Sequence, residues 1–389
     1  MKNFYFLISD LPYVYEAGII HLAEGLKEMG YVFFSNRDYW KTGVDKDYLF
    51  KYNRDFDPVT DADVVILSNP WAEHMDLVSF KLVSLPLPEW LFEASRKFLL
   101  VYLDLRDGYK TVSYTPVFRK FDYIFRSHYH ARTYNWPNIH PWILGFGNRV
   151  LKEKQNISLE KKNYEIAVNF YFSHKYVHQL RALAEKEIIS KFNPSFINRK
   201  ITSKKKPIDE FSRLMWEQTF GLHNPEYYNL TENTLIIAAF CGELVPGLPN
   251  DPSVYLAGGN KAKVKKKLYE LLSAVKGVEK RLIQWDSWRF WETLALGSVP
   301  MHIDLAKYGV ELPVMPVNWK HYIGVDLNNI RQTVERIIEE KDLIYKIAKE
   351  GNEWCMTNYA PQASAKRFLK TIGLSSQIQD ASIINESIR

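Results

Sequence analysis

The sequence predicts an α/β protein built from two doubly wound domains that face each other across a cleft. Three observations predict it. The chain has 389 residues, more than one ordinary domain holds and about right for two of roughly 150 to 200 residues. Short continuous apolar runs alternate with segments of helical period, the pattern of parallel strands covered by helices on both faces. The alternation stops in a polar, charged, aperiodic stretch, Asn148 to Lys162, and then restarts. Residues 1–150 are expected to form the first domain, 151–374 the second, and 375–389 a frayed polar tail.

In the first domain FYFLIS, from Phe4, reads as a strand leading through a loop to AGIIHLAEGLKEMG. There Ile19, Leu22, Ala23 and Leu26 fall on helical spacing and Gly30 closes the helix. YVFFSN, ADVVILSN ending at Asn69, FLLVYLDL ending at Leu105 and FDYIFRS ending at Ser127 supply four more strands. In the second domain NYEIAVNFYFSH restarts the cycle, followed by helical KYVHQLRALAEKEIISKF. Residues 193–232 carry no clear pattern beyond helix around DEFSRLMWEQTF. NTLIIAAF, RLIQW, VPMHID and YIGVD read as strands, KAKVKKKLYELLSAV as a basic amphipathic helix, and NIRQTVERIIEEKDLIYKIAKEGNEWCMTNY as two closing helices. Two such sheets in tandem create a cleft at their carboxyl edges, where ligands of doubly wound sheets bind.

Composition excludes several classes. A hydrophobic content of 46% and a charged content of 25% are those of a soluble globular protein. The 15% aromatic content fits either ring-shaped ligands such as carbohydrate or aromatic cores. The formal charge of +6 is mild, and its densest run, Lys204 to Lys206, has no aromatic interleave, which argues against a nucleic-acid partner. That charge permits peripheral contact with anionic lipid, although no amphipathic anchor stands out in the sequence. Two distant cysteines, Cys241 and Cys355, indicate neither a disulfide framework nor a zinc site and fit a reducing compartment. The first apolar run is too short to span a bilayer, no signal peptide or membrane span is visible, and a cytoplasmic location is expected.

The densest chemistry lies in QWDSWRFWETLALGSVPMHID, Gln284 to Asp304. RLIQW, a helix from about Ser287 to Leu296, and VPMHID read as a βαβ unit whose helix starts at the cleft edge. Asp286 or Ser287 can cap that helix, Gly297 ends it and Pro300 prevents its continuation. Its N-terminus suits a diphosphate. Glu292, in the first turns, can accept both hydroxyls of a ribose, and Arg289 can reach phosphate or fix the Glu292 rotamer. The competing reading makes Arg289 and Glu292 an exposed i,i+3 pair and the tryptophans core packing.

SWRFWETLALGSVPMHID followed by ELPVMPVNWKHYIGVD resembles the donor-binding region of GT-B glycosyltransferases, most closely the exostosin-like group. Ser287, Arg289, Glu292, Gly297, Pro300, Asp304, Leu312, Pro313, Trp319, Tyr322 and Val325 carry the resemblance, over about forty residues. The resemblance implies the GT-B fold of two Rossmann-like domains and a role for Glu292 in binding the ribose of a nucleotide-sugar donor. Gln284 stands where retaining members often have a glutamate, so the stereochemical outcome stays open. In the first half, YIFRSHYH with HPWILGFG, and SDLPYVYEAGIIHLAEGLKEMG, resemble the acceptor domain of family-1-like transferases. This implies that Gly18 lets the backbone approach the donor phosphate.

Transfer with inversion needs a base from the first-domain side of the cleft. Asp104 and Asp107, in LDLRDGY at a strand end, are candidates, as are Asp10 and Glu16 in the loop after the first strand. In AGGNKAKVKKK, Lys261 lies nearest a helix start and can neutralise a leaving diphosphate in place of a metal, or simply belong to a solvated basic helix. The expectation is therefore a metal-independent transferase with no cofactor, a nucleotide-sugar donor and a glycan or glycoconjugate acceptor, in the setting of bacterial surface polysaccharide assembly. A GT-B-type sugar-nucleotide epimerase and a non-catalytic sugar-nucleotide or glycan-binding protein are the alternatives.

Overall fold

The computed structural model describes residues 2–374 apart from 12–13, 69–70, 72–73, 76–81, 84, 107–115, 131–135, 171–178, 204 and 251–259. The first sheet has six strands: β1 (Phe4–Phe6), β2 (Phe33–Ser35), β3 (Val64–Ser68), β4 (Leu99–Asp104), β5 (Tyr123–Arg126) and β6 (Ile139–Pro141). They lie in the order β6-β5-β4-β3-β1-β2, every neighbouring pair parallel. Five of the six match the apolar runs of the sequence. The sixth, carrying Pro141, occupies an edge, where a missing N–H costs no ladder bond.

The second sheet has five strands: β7 (Asn163–Ala167), β8 (Ile197–Asn198), β9 (Thr234–Ala238), β10 (Val299–Ile303) and β11 (Ile323–Val325). Their order is β8-β7-β9-β10-β11, again parallel throughout. Every residue of β3, β9 and β10 is buried, which is why these strands read as unbroken apolar runs. Two doubly wound Rossmann-like domains face each other across a cleft, the GT-B fold class expected from the sequence.

Two expectations about chain course need correction. Arg281–Ile283 does not join the second sheet; it pairs antiparallel with Glu243–Val245 as a separate ribbon, so the helix that follows is not the crossover of a βαβ unit. The fully buried Arg281 guanidinium draws this segment toward the 243–250 loop by donating to the carbonyls of Pro249 and Asn250. Residues 361–374, expected within the second domain, hold a further helix for which the sequence reading gave no element. Pro361–Thr371 returns to the first domain, where Ala365, Phe368 and Leu369 enter the core beside Phe125 and Trp142. Gly25 of α1 (Ala17–Glu28) permits that approach, since a Cβ there would stand 2.0 Å from the Pro361 carbonyl oxygen.

Residues 193–232, opaque in sequence, hold β8 and two helices, Glu210–Gln218 and Pro225–Asn233. Met215 of the former joins the first-domain core, and Gln218 exchanges hydrogen bonds with the Lys41 backbone. Together with Pro361–Thr371 this gives the domains two further bridges besides the segment from Asn148. That segment is not loose either: Asn148–Lys152 is helical, and the buried Lys162 ammonium donates to the Glu232 carbonyl and the Ser298 hydroxyl.

Candidate functional site

A cleft of about 300 Å³ opens between the carboxyl edges of the two sheets, the lower end of the range for small-molecule sites. It lies where the strand order reverses in both domains: beside β1 and β3 in the first, beside β7 and β9 in the second. Its first wall is built by the loop into α1, with Glu16 and Gly18, by Ser68 at the end of β3, and by Leu105 just past β4. The second wall comprises Arg181 in α2 (Gln179–Glu187), Cys241 just past β9, and Asp286, Ser287 and Trp288 at the start of the helix Trp288–Ala295. Leu144 joins them, its N–H donating to the Asp286 carboxylate at 2.7 Å.

Glu16 is 3% exposed and no salt bridge reaches it among the described residues. One oxygen accepts from the Ser9 N–H at 3.2 Å and the other from the Ser68 hydroxyl. Burial pushes its carboxyl up to about 7 even though both hydrogen bonds favour the anion. A carboxylate that titrates near neutrality at the rim of a cleft has the properties of a general base.

The other carboxylates differ. Asp104 is fully buried, with one oxygen 2.9 Å from both Arg106 Nε and Arg126 Nη1. Burial alone would raise its pKa, but Arg106 and Arg126 overcome that and hold it below the ordinary value. It is not among the residues lining the cleft, and a doubly ion-paired carboxylate is a weak base. Asp10 is exposed in the loop beyond β1 and does not line the cleft; Asp107 lies outside the described residues. Gly18 lines the cleft in the first turn of α1, where a Cβ would stand 2.0 Å from Leu105 Cδ1, so its small size serves close packing against that leucine.

On the second wall, Ser287 is the N-cap residue of Trp288–Ala295, but neither expected side-chain cap forms. The Asp286 carboxylate accepts from the Leu144 N–H and the Trp291 indole, and the Ser287 hydroxyl has no hydrogen-bond partner among the described residues. The helix therefore presents an uncapped N-terminus to the cleft, with the unpartnered Ser287 hydroxyl buried at its start. Of the three tryptophans, Trp285 and Trp291 are core residues, whereas Trp288 faces the cleft with its ring 5.7 Å from Tyr15 of the opposite domain. Arg181 anchors its Nε on the Phe240 carbonyl at 3.2 Å and stands 5.9 Å over the Phe170 ring.

Arg289 and Glu292 are not an exposed pair. Arg289 donates to the Asn169 carbonyl at 2.7 Å, beyond the end of β7, and lies 5.8 Å over the Tyr227 ring. Glu292 is buried just behind the cleft, 3.3 Å from Arg149 Nη2. Burial pushes its carboxyl up against the opposing charges of Arg149 and Arg289. The Arg149 guanidinium also donates to the hydroxyls of Tyr15, at 3.0 Å, and Tyr228, and lies 3.1 Å from His223 Nδ1. A continuous chain thus runs from Glu292 through Arg149 to Tyr15 at the cleft. Lys261 falls in the first turn of the helix Asn260–Val275, and its side chain lies outside the described residues.

Ser68, Arg181, Arg149 and Tyr15 escape the sequence reading. The one local signal was for Arg181, in the first turn of the helix after the first strand of the second domain. Among the described residues no three His, Cys, Asp or Glu side chains converge as a metal site would require.

No family model matches this sequence, and no curated protein matches it either. Solved structures do align over nearly the whole chain. An α-glucosyltransferase in complex with UDP-glucose and DNA containing an abasic site shares 12% identity over 97% of this chain and 99% of its own, with a TM-score of 0.49. Anabaena HepE in complex with UDP-glucose shares 12% over 96% and 100%, with a TM-score of 0.43. A glycosyltransferase from Rickettsia africae shares 12% over 97% and 98%, with a TM-score of 0.44. The functional reading of this chain rests on its own residues.

Proposed function

We propose that this chain is a glycosyltransferase that moves a sugar from a nucleotide-sugar donor to a hydroxyl of a glycan or glycoconjugate acceptor. The observation that carries the reading is the pairing of opposite chemistries at the two facing switch points. Glu16 stands on one wall; Arg181 and an uncapped helix N-terminus, with the buried, unpartnered Ser287 hydroxyl at its start, stand on the other. A diphosphate bound against the second wall has its charge met by the guanidinium and the helix N–H groups, which stabilise it further as it leaves. The acceptor hydroxyl hydrogen-bonds to Glu16. As the bond from the anomeric carbon to the diphosphate breaks and the new glycosidic bond forms, Glu16 takes the proton. Charge compensation by Arg181 and the helix end is the basis for proposing a metal-independent reaction.

Glu292 acts in this scheme as a positioning residue, holding Arg149 and through it the Tyr15 hydroxyl beside Trp288. Arg289 fixes the end of β7 at Asn169, and Lys261 is retained as a diphosphate ligand on the strength of its place at a helix start.

Incubation with a panel of nucleotide sugars tests the reading. Slow release of free nucleotide, accelerated by a glycan acceptor, supports transfer. An epimerised sugar points to an epimerase, and binding without turnover to a non-catalytic module. A thermal-shift screen comes first, because a nucleoside diphosphate that binds the native state raises its melting temperature by mass action. If no nucleoside diphosphate stabilises the protein, the donor-site reading fails.

A further inference from the structure

The helix Asn260–Val275, labelled α3 from here, is built inside out. Its side toward the protein is polar: Lys266 bonds Glu243 at 2.9 Å, and the buried Ser273 hydroxyl accepts from the Leu248 N–H at 3.0 Å. Its outer side is apolar. Val264 is 67% exposed, Leu268 53%, Leu271 63% and Val275 77%, with Leu272 beside them. The spacing of 264, 268, 271, 272 and 275 places all five on one stripe about 100° wide. Five of the fifteen exposed large apolar side chains among the described residues therefore sit on this one helix. An amphipathic helix normally turns this stripe inward, and a contiguous exposed one marks an interaction surface.

Charge identifies what covers it. Lys265 and Lys267 flank the stripe on its two sides, Lys276 follows at its end, and all three are exposed with no salt bridge among the described residues. The helix carries five lysines and a single glutamate, Glu270, which lies off the stripe. Leucine and valine on one face with lysines along both borders match a bilayer interface, where apolar side chains enter the acyl boundary and ammonium groups remain at anionic headgroups. No helix among the described residues is long and apolar enough to cross a membrane, so contact of this kind lies on the surface.

We propose that α3 docks the protein on an anionic lipid surface. Through Lys266 and Glu243 the helix is tied to the segment just past Cys241 of the cleft wall, so docking holds the cleft close to the headgroup plane. An acceptor carried on a lipid would reach the cleft from there. The docking inference itself stands apart from the transferase reading, and its test reads no turnover.

The test is co-sedimentation of the full chain with vesicles of phosphatidylcholine alone or with about one third phosphatidylglycerol. Binding is expected only to the anionic vesicles and to weaken with salt. The double variant Leu268→Glu/Leu271→Glu, both positions solvent-exposed, should keep its circular dichroism and melting temperature and lose roughly tenfold or more in partitioning. Lys265→Gln and Lys267→Gln should each lose about fivefold. Three results would overturn the proposal: no partitioning of the wild-type chain, undiminished partitioning of the leucine variant, or a wild-type dimer that the leucine variant converts to monomer. The last would make a second copy of the chain the occupant of the stripe.

Discussion

The first domain orders its strands β2-β1-β3-β4-β5-β6 and the second β8-β7-β9-β10-β11, so each opens its crevice beside its own first strand. At that crevice the first domain sets a carboxylate, Glu16, held among the described residues by a hydroxyl and a backbone N–H. The second sets a guanidinium, Arg181, and an uncapped helix N-terminus. Topology chooses the place, and a handful of loop residues choose the sign. Facing the two crevices then creates one site with a proton acceptor on one side and an anion cradle on the other, which neither domain contains alone.

Removing the carboxylate should break this pairing most severely. Glu16→Gln keeps the shape and a hydrogen-bonding partner for Ser9 and Ser68 but cannot accept a proton, and turnover of the sugar nucleotide should fall by about 10²- to 10⁴-fold. Stability should move the other way. The folded pKa of about 7 lies above the ordinary 4.5, so the native state holds a proton that the unfolded chain releases in that window, and stability declines as pH rises through it. Removing the group should therefore stabilise the protein at pH 8 by up to about 3 kcal/mol and leave it unchanged near pH 4. In the wild type, turnover should rise with pH through about 7. Unfolding curves of the wild type and the variant at pH 4 and 8, with a pH–rate profile, decide the matter; a stability difference between the two that is the same at both pH values would mean that Glu16 is not the buried, proton-holding group described.

The second largest effect concerns the other buried carboxylate, Glu292, which differs from Glu16 in having a cation against it. Arg149→Met would leave Glu292 without its counter-ion and should destabilise the fold by about 3–5 kcal/mol at neutral pH. Adding Glu292→Gln should restore much of the loss, since an apolar chain beside a neutral amide leaves no buried charge. Denaturant unfolding of the single and double variants measures this coupling. If the losses simply add, the two residues do not act as a pair.

How far the sequence reveals these features depends on whether the physics is local. Parallel strands buried on both faces leave continuous apolar runs, so the alternation was legible and β3, β4, β9 and β10 stand where the runs are. Pairing partners are not local. RLIQW has the composition of a sheet strand, yet Arg281–Ile283 is set by carbonyls 31 and 32 residues earlier that capture Arg281. The same limit governs the site. Glu16 is visible as one of four candidate carboxylates, and the distinction from Asp104 comes partly from the adjacent Arg106 and partly from Arg126, 22 residues away, which no local pattern brings there. Glu292 reads as a ribose-binding carboxylate of the cleft, or as half of an exposed pair with Arg289, until Arg149, 143 residues earlier, is brought against it.

On the second wall, Arg181→Gln removes a charge without disturbing a core. Affinity for a nucleoside diphosphate should fall by about 1.5–3 kcal/mol, ten- to a hundredfold, as for a hydrogen bond to a charged group. Calorimetric titration at two salt concentrations checks it, with the wild type losing more affinity on raising the salt than the variant. An unchanged affinity would move the diphosphate away from Arg181.

The smallest effect is the most diagnostic of what the second wall is for. Ser287 stands at an N-cap position, where replacing serine by alanine ordinarily costs about 1 kcal/mol of stability because the hydroxyl caps the helix. Here the hydroxyl caps nothing and has no partner, so Ser287→Ala should leave stability within about 0.5 kcal/mol of the wild type. Its cost should appear on binding. A hydroxyl that donates to a diphosphate oxygen at the helix end contributes roughly 1 kcal/mol, about fivefold in affinity. Melting temperature and nucleoside diphosphate affinity, measured on the same preparation, separate the two roles. A lowered melting temperature with unchanged affinity would show that Ser287 caps its helix in solution, and the uncapped N-terminus that gives the second domain its anion cradle would not exist.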